Sequence, residues 1–199
     1  RPSLAAEESR RAALRIVREH EREEYLDPAP AARAEFRLAE MSAERFSQAP
    51  LRLPEDRMRR DLEAKAQLLL SAQSSFLRCI RLGDPDWATA SGYRIARLYL
   101  DLHQAMNQAP IPEDLNPAEV QVYRGMLRDR LAVLLRKAVK VFEMTLQLAE
   151  RTRSDNDWTR AARQEMERVK QRVLKDLQRE EQGQSDQGPQ GEEADTPIL

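Results

Sequence analysis

Apolar residues recur along most of this chain at spacings of three and four, which is typical of helices that bury one face. Runs containing Pro, Gly or Asp interrupt this pattern at intervals. The pattern predicts six helices, at Ser3–Tyr25, Ala31–Gln48, Pro54–Leu82, Pro85–Gln108, Pro117–Arg151 and Trp158–Glu180. The body of the chain has too little glycine for a protein built of strands and tight turns, so an all-α fold is expected.

The residues at the interruptions predict where helices begin. Asp84 is a good N-cap, and Pro85 suits the first helical position, where its missing N–H costs nothing. Asn116 is the expected N-cap of the next helix, and either Asp155 or Asp157 is expected to cap the last one. The segment from Ala72 to Tyr99 is therefore the end of one helix followed closely by the start of another.

Two short sequence patterns recur later in the chain, which indicates an internal repeat. Residues 36–39, FRLA, match residues 93–96, YRIA, at an offset of 57. The pattern Ala-x3-Phe at 72–76 recurs at 138–142, at an offset of 66. Shorter and longer helices therefore alternate along the chain.

These residues resemble the tetratricopeptide repeat, whose first helix carries a W-x2-L-G-x2-Y pattern. Residues 92–99 fit that pattern with Ala in the Gly position and no Trp in register, and residues 35–42 fit it less well. The Ala-x3-Phe-x2-Ala pattern of the second helix fits 72–79 and 138–145, each with another small residue in the last place. The resemblance covers about residues 31–175, but roughly 20 to 30 extra residues per unit lengthen the second helix beyond the standard 34-residue repeat.

The resemblance implies a TPR-like α-solenoid of antiparallel helical hairpins with elongated second helices. We expect an N-terminal helix in 1–27, a repeat domain in 28–180 and a disordered acidic, Gln-rich tail in 181–199. Such long helices are most similar to repeats of large envelope and gliding-motility scaffold proteins in myxobacteria and related bacteria. That likeness suggests a bacterial envelope or periplasmic location and leaves the cytoplasm open.

Composition narrows the expected partners. The formal net charge of −1 provides no global basic field, so no nucleic-acid partner is expected. No run of about 18 apolar residues is present, so no transmembrane segment is expected. The single cysteine excludes an intrachain disulfide.

Few residues are candidates for chemistry. The two histidines, His20 and His103, lie far apart and have no ligands at metal-binding spacing. Cys79 is expected to be a core thiol, and its pairing with His103 as a nucleophile has no supporting signature. No phosphate-binding loop or nucleophile motif is present. We therefore predict a protein that is not an enzyme, with no catalytic, cofactor-binding or metal-binding residues.

Aromatic residues around 87–99 allow two interpretations. Trp87, Tyr93 and Tyr99 could form a ligand patch, but their helical spacing favours packing inside the hairpin core. Trp158 is expected to anchor the last helix in that core.

The predicted function is protein–protein interaction. The resemblance implies a concave groove lined by the shorter helices, and the exposed polar residues expected nearest a bound partner are Arg37, Glu40, Arg94, Arg97 and Asp101. The alternative is a helical bundle or coiled-coil subunit whose long helices, Pro54–Leu82 and Pro117–Arg151, associate with a second copy of the chain. The mass in solution would distinguish a monomeric scaffold from an obligate homo-oligomer.

Overall fold

The computed structural model describes residues 7, 8, 11, 12, 15, 27–112 and 115–185, of which 176, 177 and 179–185 are described by their backbone alone. In that part of the chain the secondary structure is α-helix, with no β-strand, so the predicted all-α class is confirmed. The helix predicted at Ser3–Tyr25 lies almost entirely outside the described residues.

The main helices are longer than their connections. They are α1 (Ala29–Gln48), α2 (Glu55–Arg81), α3 (Pro85–Asn107), α4 (Pro117–Thr152) and α5 (Asp157–Ser185). Helix α1 begins two residues before the predicted Ala31, and the Asp27 carboxylate accepts a hydrogen bond from the Ala29 N–H at 3.0 Å. Helix α5 continues past the predicted end at Glu180, so 181–185 of the expected tail are helical, and 186–199 lie outside the described residues.

Helix α3 starts as predicted. The Asp84 carboxylate accepts a hydrogen bond from the Trp87 N–H at 2.7 Å, and Pro85 is the first helical residue. Gly83, just before the cap, has φ of 84°, a left-handed conformation that glycine adopts without steric cost. This residue reverses the chain between α2 and α3.

Helix α4 also has its predicted cap. The Asn116 side chain accepts from the Glu119 N–H at 3.0 Å, and the Glu119 carboxylate accepts from the Asn116 N–H at 2.9 Å. This reciprocal pair is a capping box, which satisfies two backbone donors at the start of the helix.

The predicted cap of α5 is wrong. Neither Asp155 nor Asp157 caps it; Asn156, between them, accepts a hydrogen bond from the Thr159 N–H at 3.0 Å. Asparagine is as good an N-cap as aspartate. Because the helix begins at Asp157, the residue before it, Asn156, occupies the N-cap position.

The helices pack in two layers. Each helix contacts the next along the chain, and α3 also contacts both α1 and α5. In contrast, α2 and α4 do not pack against each other in their described residues. Helices α1, α3 and α5 therefore form one layer, and α2 and α4 form the other.

A recurring set of aromatic rings links these layers. A ring on α1 and a ring on α3 each pack against a Phe on the next helix and against the Trp in the first turn of the helix after that. The centroid distances are 5.5 Å for Phe36–Phe76, 5.1 Å for Phe36–Trp87, 6.0 Å for Tyr93–Phe142 and 5.4 Å for Tyr93–Trp158. The repeated sequence positions thus make equivalent contacts, and Trp158 lies in the core as expected.

Helices α3 and α4 approach each other closely at a glycine. A Cβ atom added to Gly92 would lie 2.9 Å from Cγ2 of Thr145 and nearer still to its Oγ1. The Thr145 hydroxyl donates to the Val141 carbonyl at 2.8 Å, which holds the side chain in this position. Only a residue without a side chain fits at position 92.

Candidate functional site

The structure brings four of the five predicted partner-binding residues to one groove. Arg37 and Glu40 on α1 and Arg94 and Asp101 on α3 line a surface groove of about 420 Å³. Arg97, the fifth, lines a neighbouring cleft of about 360 Å³ between α3 and α5. Both openings lie on the layer formed by α1, α3 and α5. Helix α5 has 29 residues and is longer than α2, which has 27, so the predicted alternation of shorter and longer helices does not extend to α5.

Ion pairs across this layer occupy most of the predicted residues. Arg94 Nε donates to Glu40 Oε1 at 2.5 Å and so joins α3 to α1. Arg97 donates to Asp101 at 3.1 Å within α3 and to Glu165 on α5 at 3.5 Å. Their side chains are about one-third exposed or less, so these pairs both line the openings and tie the helices together.

Arg37 differs from the other four residues. It is exposed, and it makes no ion pair with any described residue. It lies at the repeat position equivalent to Arg94, 57 residues earlier. The groove floor beside it is partly apolar, formed by Met41, Ala43 and Leu98. Arg37 is therefore the groove charge most available to a ligand.

The residues considered for chemistry are placed as core residues. Cys79 is fully buried, and its Sγ lies 3.2 Å from the Ala32 carbonyl oxygen. Burial raises the pKa of the Cys79 thiol to about 11, so the thiol is protonated at neutral pH. The expected place of Cys79 as a thiol in the core is confirmed by its burial.

No metal site is found in the part of the chain that the structure describes, which contains no group of three or more His, Cys, Asp or Glu residues suited to an ion. His103 is buried in the cleft between α3 and α5, and His20 lies outside the described residues.

The aromatic residues at 87–99 belong to the packing of the hairpins. The Trp87 and Tyr93 rings make the core contacts given above. The Tyr99 hydroxyl donates to Gln73 at 3.0 Å, and Lys137 Nζ lies 5.7 Å from the Tyr99 ring centroid. The core interpretation therefore fits these residues better than a ligand patch.

Sequence reasoning missed a buried lysine. Lys65 is only 3% exposed, and its ammonium donates to the carbonyls of Phe46 and Ala49 at 2.8 and 2.7 Å, at the end of α1. Burial lowers the pKa of Lys65, and the nearby negative charge of Asp101 opposes that shift. The available signal was its place on the apolar stripe of α2, three residues after Leu62 and four before Leu69.

Two further polar contacts join segments distant in sequence. Glu35, 3% exposed, accepts from Arg78 Nε at 2.6 Å. Asp86, in the first turn of α3, accepts from Ser154 at 2.6 Å and from Asn156 at 2.8 Å, and these hydrogen bonds lower the pKa of its carboxyl. The first contact joins α1 to α2, and the second joins α3 to the connection between α4 and α5.

Comparisons with known proteins provide no family for this chain. Searches against protein-family models, curated proteins and solved structures returned no match. None of the described helices is both long enough and apolar enough to cross a membrane.

Proposed function

We propose that this protein is a non-catalytic scaffold that binds another protein in the groove between α1 and α3. In this proposal the helices form a TPR-like α-solenoid, in which α1–α2 and α3–α4 are successive hairpins and α5 is the terminal helix. The two-layer arrangement and the recurring aromatic contacts support this, because each hairpin buries its apolar face against the next.

The observation that carries the proposal is the convergence of equivalent repeat positions on one groove. Arg37 and Arg94 occupy the same place in successive units, and both line the 420 Å³ groove. A groove that combines an apolar floor with charged walls suits a polypeptide, because the floor favours burial and the walls select charge. Arg37 would contact an acidic group of the partner, and Glu44, exposed on the same wall, a basic one.

Charge reversal at Arg37 tests this function better than reversal at Arg94 and Arg97. The latter two pair with acids on α1 and α5, so reversing them would also loosen the helix packing. Arg33 provides a matched control, since it is an exposed arginine on α1 that lines neither opening and has no ion pair with a described residue.

The experiment is comparative affinity capture from the cells that produce the protein. We expect a protein retained by wild type and by Arg33→Glu to be lost with Arg37→Glu. All three chains should have the same helical circular dichroism signal. Equal capture by Arg37→Glu and wild type would contradict binding in this groove.

The second candidate function is self-association, and the exposed apolar residues favour it. Among the described residues, six of the seven large exposed apolar side chains lie on α2 and α4, the helices that the sequence predicted to associate with a second copy. They are Leu70 and Leu77 on α2, and Val122, Met126, Val133 and Met144 on α4. Light scattering distinguishes the candidates: a 23.0 kDa particle supports the monomeric scaffold, whereas a multiple of that mass that Val122→Lys/Met126→Lys dissociates supports the bundle.

A further inference from the structure

Helix α5 presents a strongly basic face. Eight of its residues, spaced three and four apart, line a shallow cleft of about 840 Å³. Five of the eight are cations and one is an acid: Arg160, Arg163, Arg168, Arg172, Lys175 and Glu167. The other two are glutamines. We call this set the α5 basic face.

Three of these five cations form no ion pair with a described acidic side chain. Arg160 pairs with Asp157, and Arg168 donates to Glu165 at 2.9 Å. Arg163, Arg172 and Lys175 form no ion pair within the ranges that the structure describes, and all three are exposed. Exposed cations that share one helix face without ion pairs favour an anionic ligand, because the negative charge of the ligand relieves the repulsion between them.

The described residues that line the α5 basic face all belong to α5, and the face is continuous with the cleft between α3 and α5. Ala162 and Val169 are buried on the opposite side of the helix, toward α3 and α4. Arg168 and Arg172 line both openings. From Arg163 to Lys175 the face extends about 18 Å at 1.5 Å per residue, a length suited to a short polypeptide segment.

We propose that the α5 basic face binds an acidic segment of a partner protein. This inference rests on the proposed function, to which it adds the chemical character of a bound protein. A polypeptide fits better than single-stranded nucleic acid because no aromatic side chain lies among the described lining residues, and such side chains are the platform on which bases stack. The two glutamines supply amide donors and acceptors for a peptide backbone between its carboxylates.

The test is fluorescence anisotropy on the full chain with labelled poly-L-glutamate. Reversal of the three unpaired cations, as Arg163→Glu/Arg172→Glu/Lys175→Glu, should weaken binding at least about tenfold, because attraction at the site becomes repulsion. The matched control, Arg33→Glu/Arg60→Glu/Lys140→Glu, changes the net charge equally at exposed positions on three other helices. It should stay within about twofold of wild type, since distant exposed charges are largely screened. Equal weakening by both triple variants, or unchanged binding by the first, would overturn the proposal.

Two further binding measurements test whether a different anion occupies this face. A single-stranded oligonucleotide of equal charge should bind more weakly than poly-L-glutamate; tighter binding that depends on the same three cations would overturn the proposal in favour of nucleic acid. The chain itself has four acidic residues after Ser185, at Asp186, Glu192, Glu193 and Asp195. If replacing these four with their amides strengthens poly-L-glutamate binding about tenfold, the occupant is this chain's own segment and the proposal is wrong.

The experiments distinguish a failure of acidic-segment binding at the α5 basic face from a failure of the proposed function in the groove between α1 and α3. Arg37 lies on α1, outside the α5 basic face, so Arg37→Glu should leave poly-L-glutamate binding unchanged. If Arg37→Glu loses the captured protein while the triple α5 variant binds poly-L-glutamate normally, only this inference is removed.

Discussion

The close approach of α3 to α4 at Gly92 makes Gly92→Ala a sensitive test of the fold. The new methyl group would lie 2.9 Å from Cγ2 of Thr145 and closer to its Oγ1, both well inside van der Waals contact. Thr145 is β-branched and hydrogen-bonded to Val141, so it cannot turn aside freely. The helices must therefore separate to accommodate the substitution.

The expected loss of stability follows from two opposing effects. Overpacking at a well-packed contact costs about 3 kcal/mol at the upper end of its usual range. Alanine regains about 1 kcal/mol over glycine in a helix interior. The net destabilisation is about 2 kcal/mol, which corresponds to a fall of about 4–8 °C in Tm for a chain of this length. Thermal and urea unfolding followed by circular dichroism measure it.

Gly125→Ala is the matched control. A Cβ at Gly125, also inside a helix, would meet nothing within 4 Å, so this variant should gain about 0.5–1 kcal/mol. Combining Gly92→Ala with Thr145→Ala, which removes Oγ1 and Cγ2, should recover about 1 kcal/mol or more relative to the sum of the single variants. If Gly92→Ala were as stable as Gly125→Ala, the packing of α3 on α4 described here would be wrong.

Three other predictions concern the contacts that hold the hairpins. Asp84→Ala should cost about 1 kcal/mol in urea unfolding by removing the cap at the Trp87 N–H, and an unchanged midpoint would contradict that role. Arg78→Met leaves the Glu35 carboxylate buried without its cation and should cost about 2 kcal/mol in the same assay, whereas a loss under about 0.5 kcal/mol would show that the pair is unimportant. Since burial raises the pKa of the Cys79 thiol from the ordinary value of 9.0 to about 11, the unfolded chain loses this proton first, so stability should fall as pH rises from 9 to 11 and Cys79→Ala should lack that component. An equal pH dependence in wild type and Cys79→Ala would refute it.

The helices themselves were predictable because their signals are local. Period-three-and-four apolar spacing and the caps at Asp84 and Asn116 depend on neighbouring residues, and the structure confirms both caps. The cap of α5 was predicted one residue away on either side, because the two aspartates and Asn156 are almost equivalent by composition.

Most contacts between helices could not be predicted from the sequence. Lys65 donates to a carbonyl 19 residues earlier, and Glu35 accepts from Arg78, 43 residues later. Periodicity shows that such residues lie on a buried face but not which helix covers it, so a stripe position occupied by Lys or Glu indicates only that a partner is needed.

The groove could be predicted from the sequence only in part. The resemblance to tetratricopeptide repeats suggested that residues on the shorter helices line it, and the structure gathers Arg37, Glu40, Arg94 and Asp101 around one opening. The ion pairs that occupy Arg94 and Arg97 depend on the stagger of α1, α3 and α5, which the sequence does not specify. That this groove binds a protein stays a prediction.

The most direct measurement of that prediction is site-specific photo-crosslinking in the cells that produce the protein. A photoreactive phenylalanine derivative is placed at Ser47, which lines the groove and is exposed, or at Ser74, an exposed serine on α2 that lines neither opening. The account predicts a crosslinked protein from position 47 that is absent from position 74 and is lost when Arg37→Glu is added. Crosslinking from position 74 but not from position 47 would contradict the account, because the partner would then bind the opposite layer.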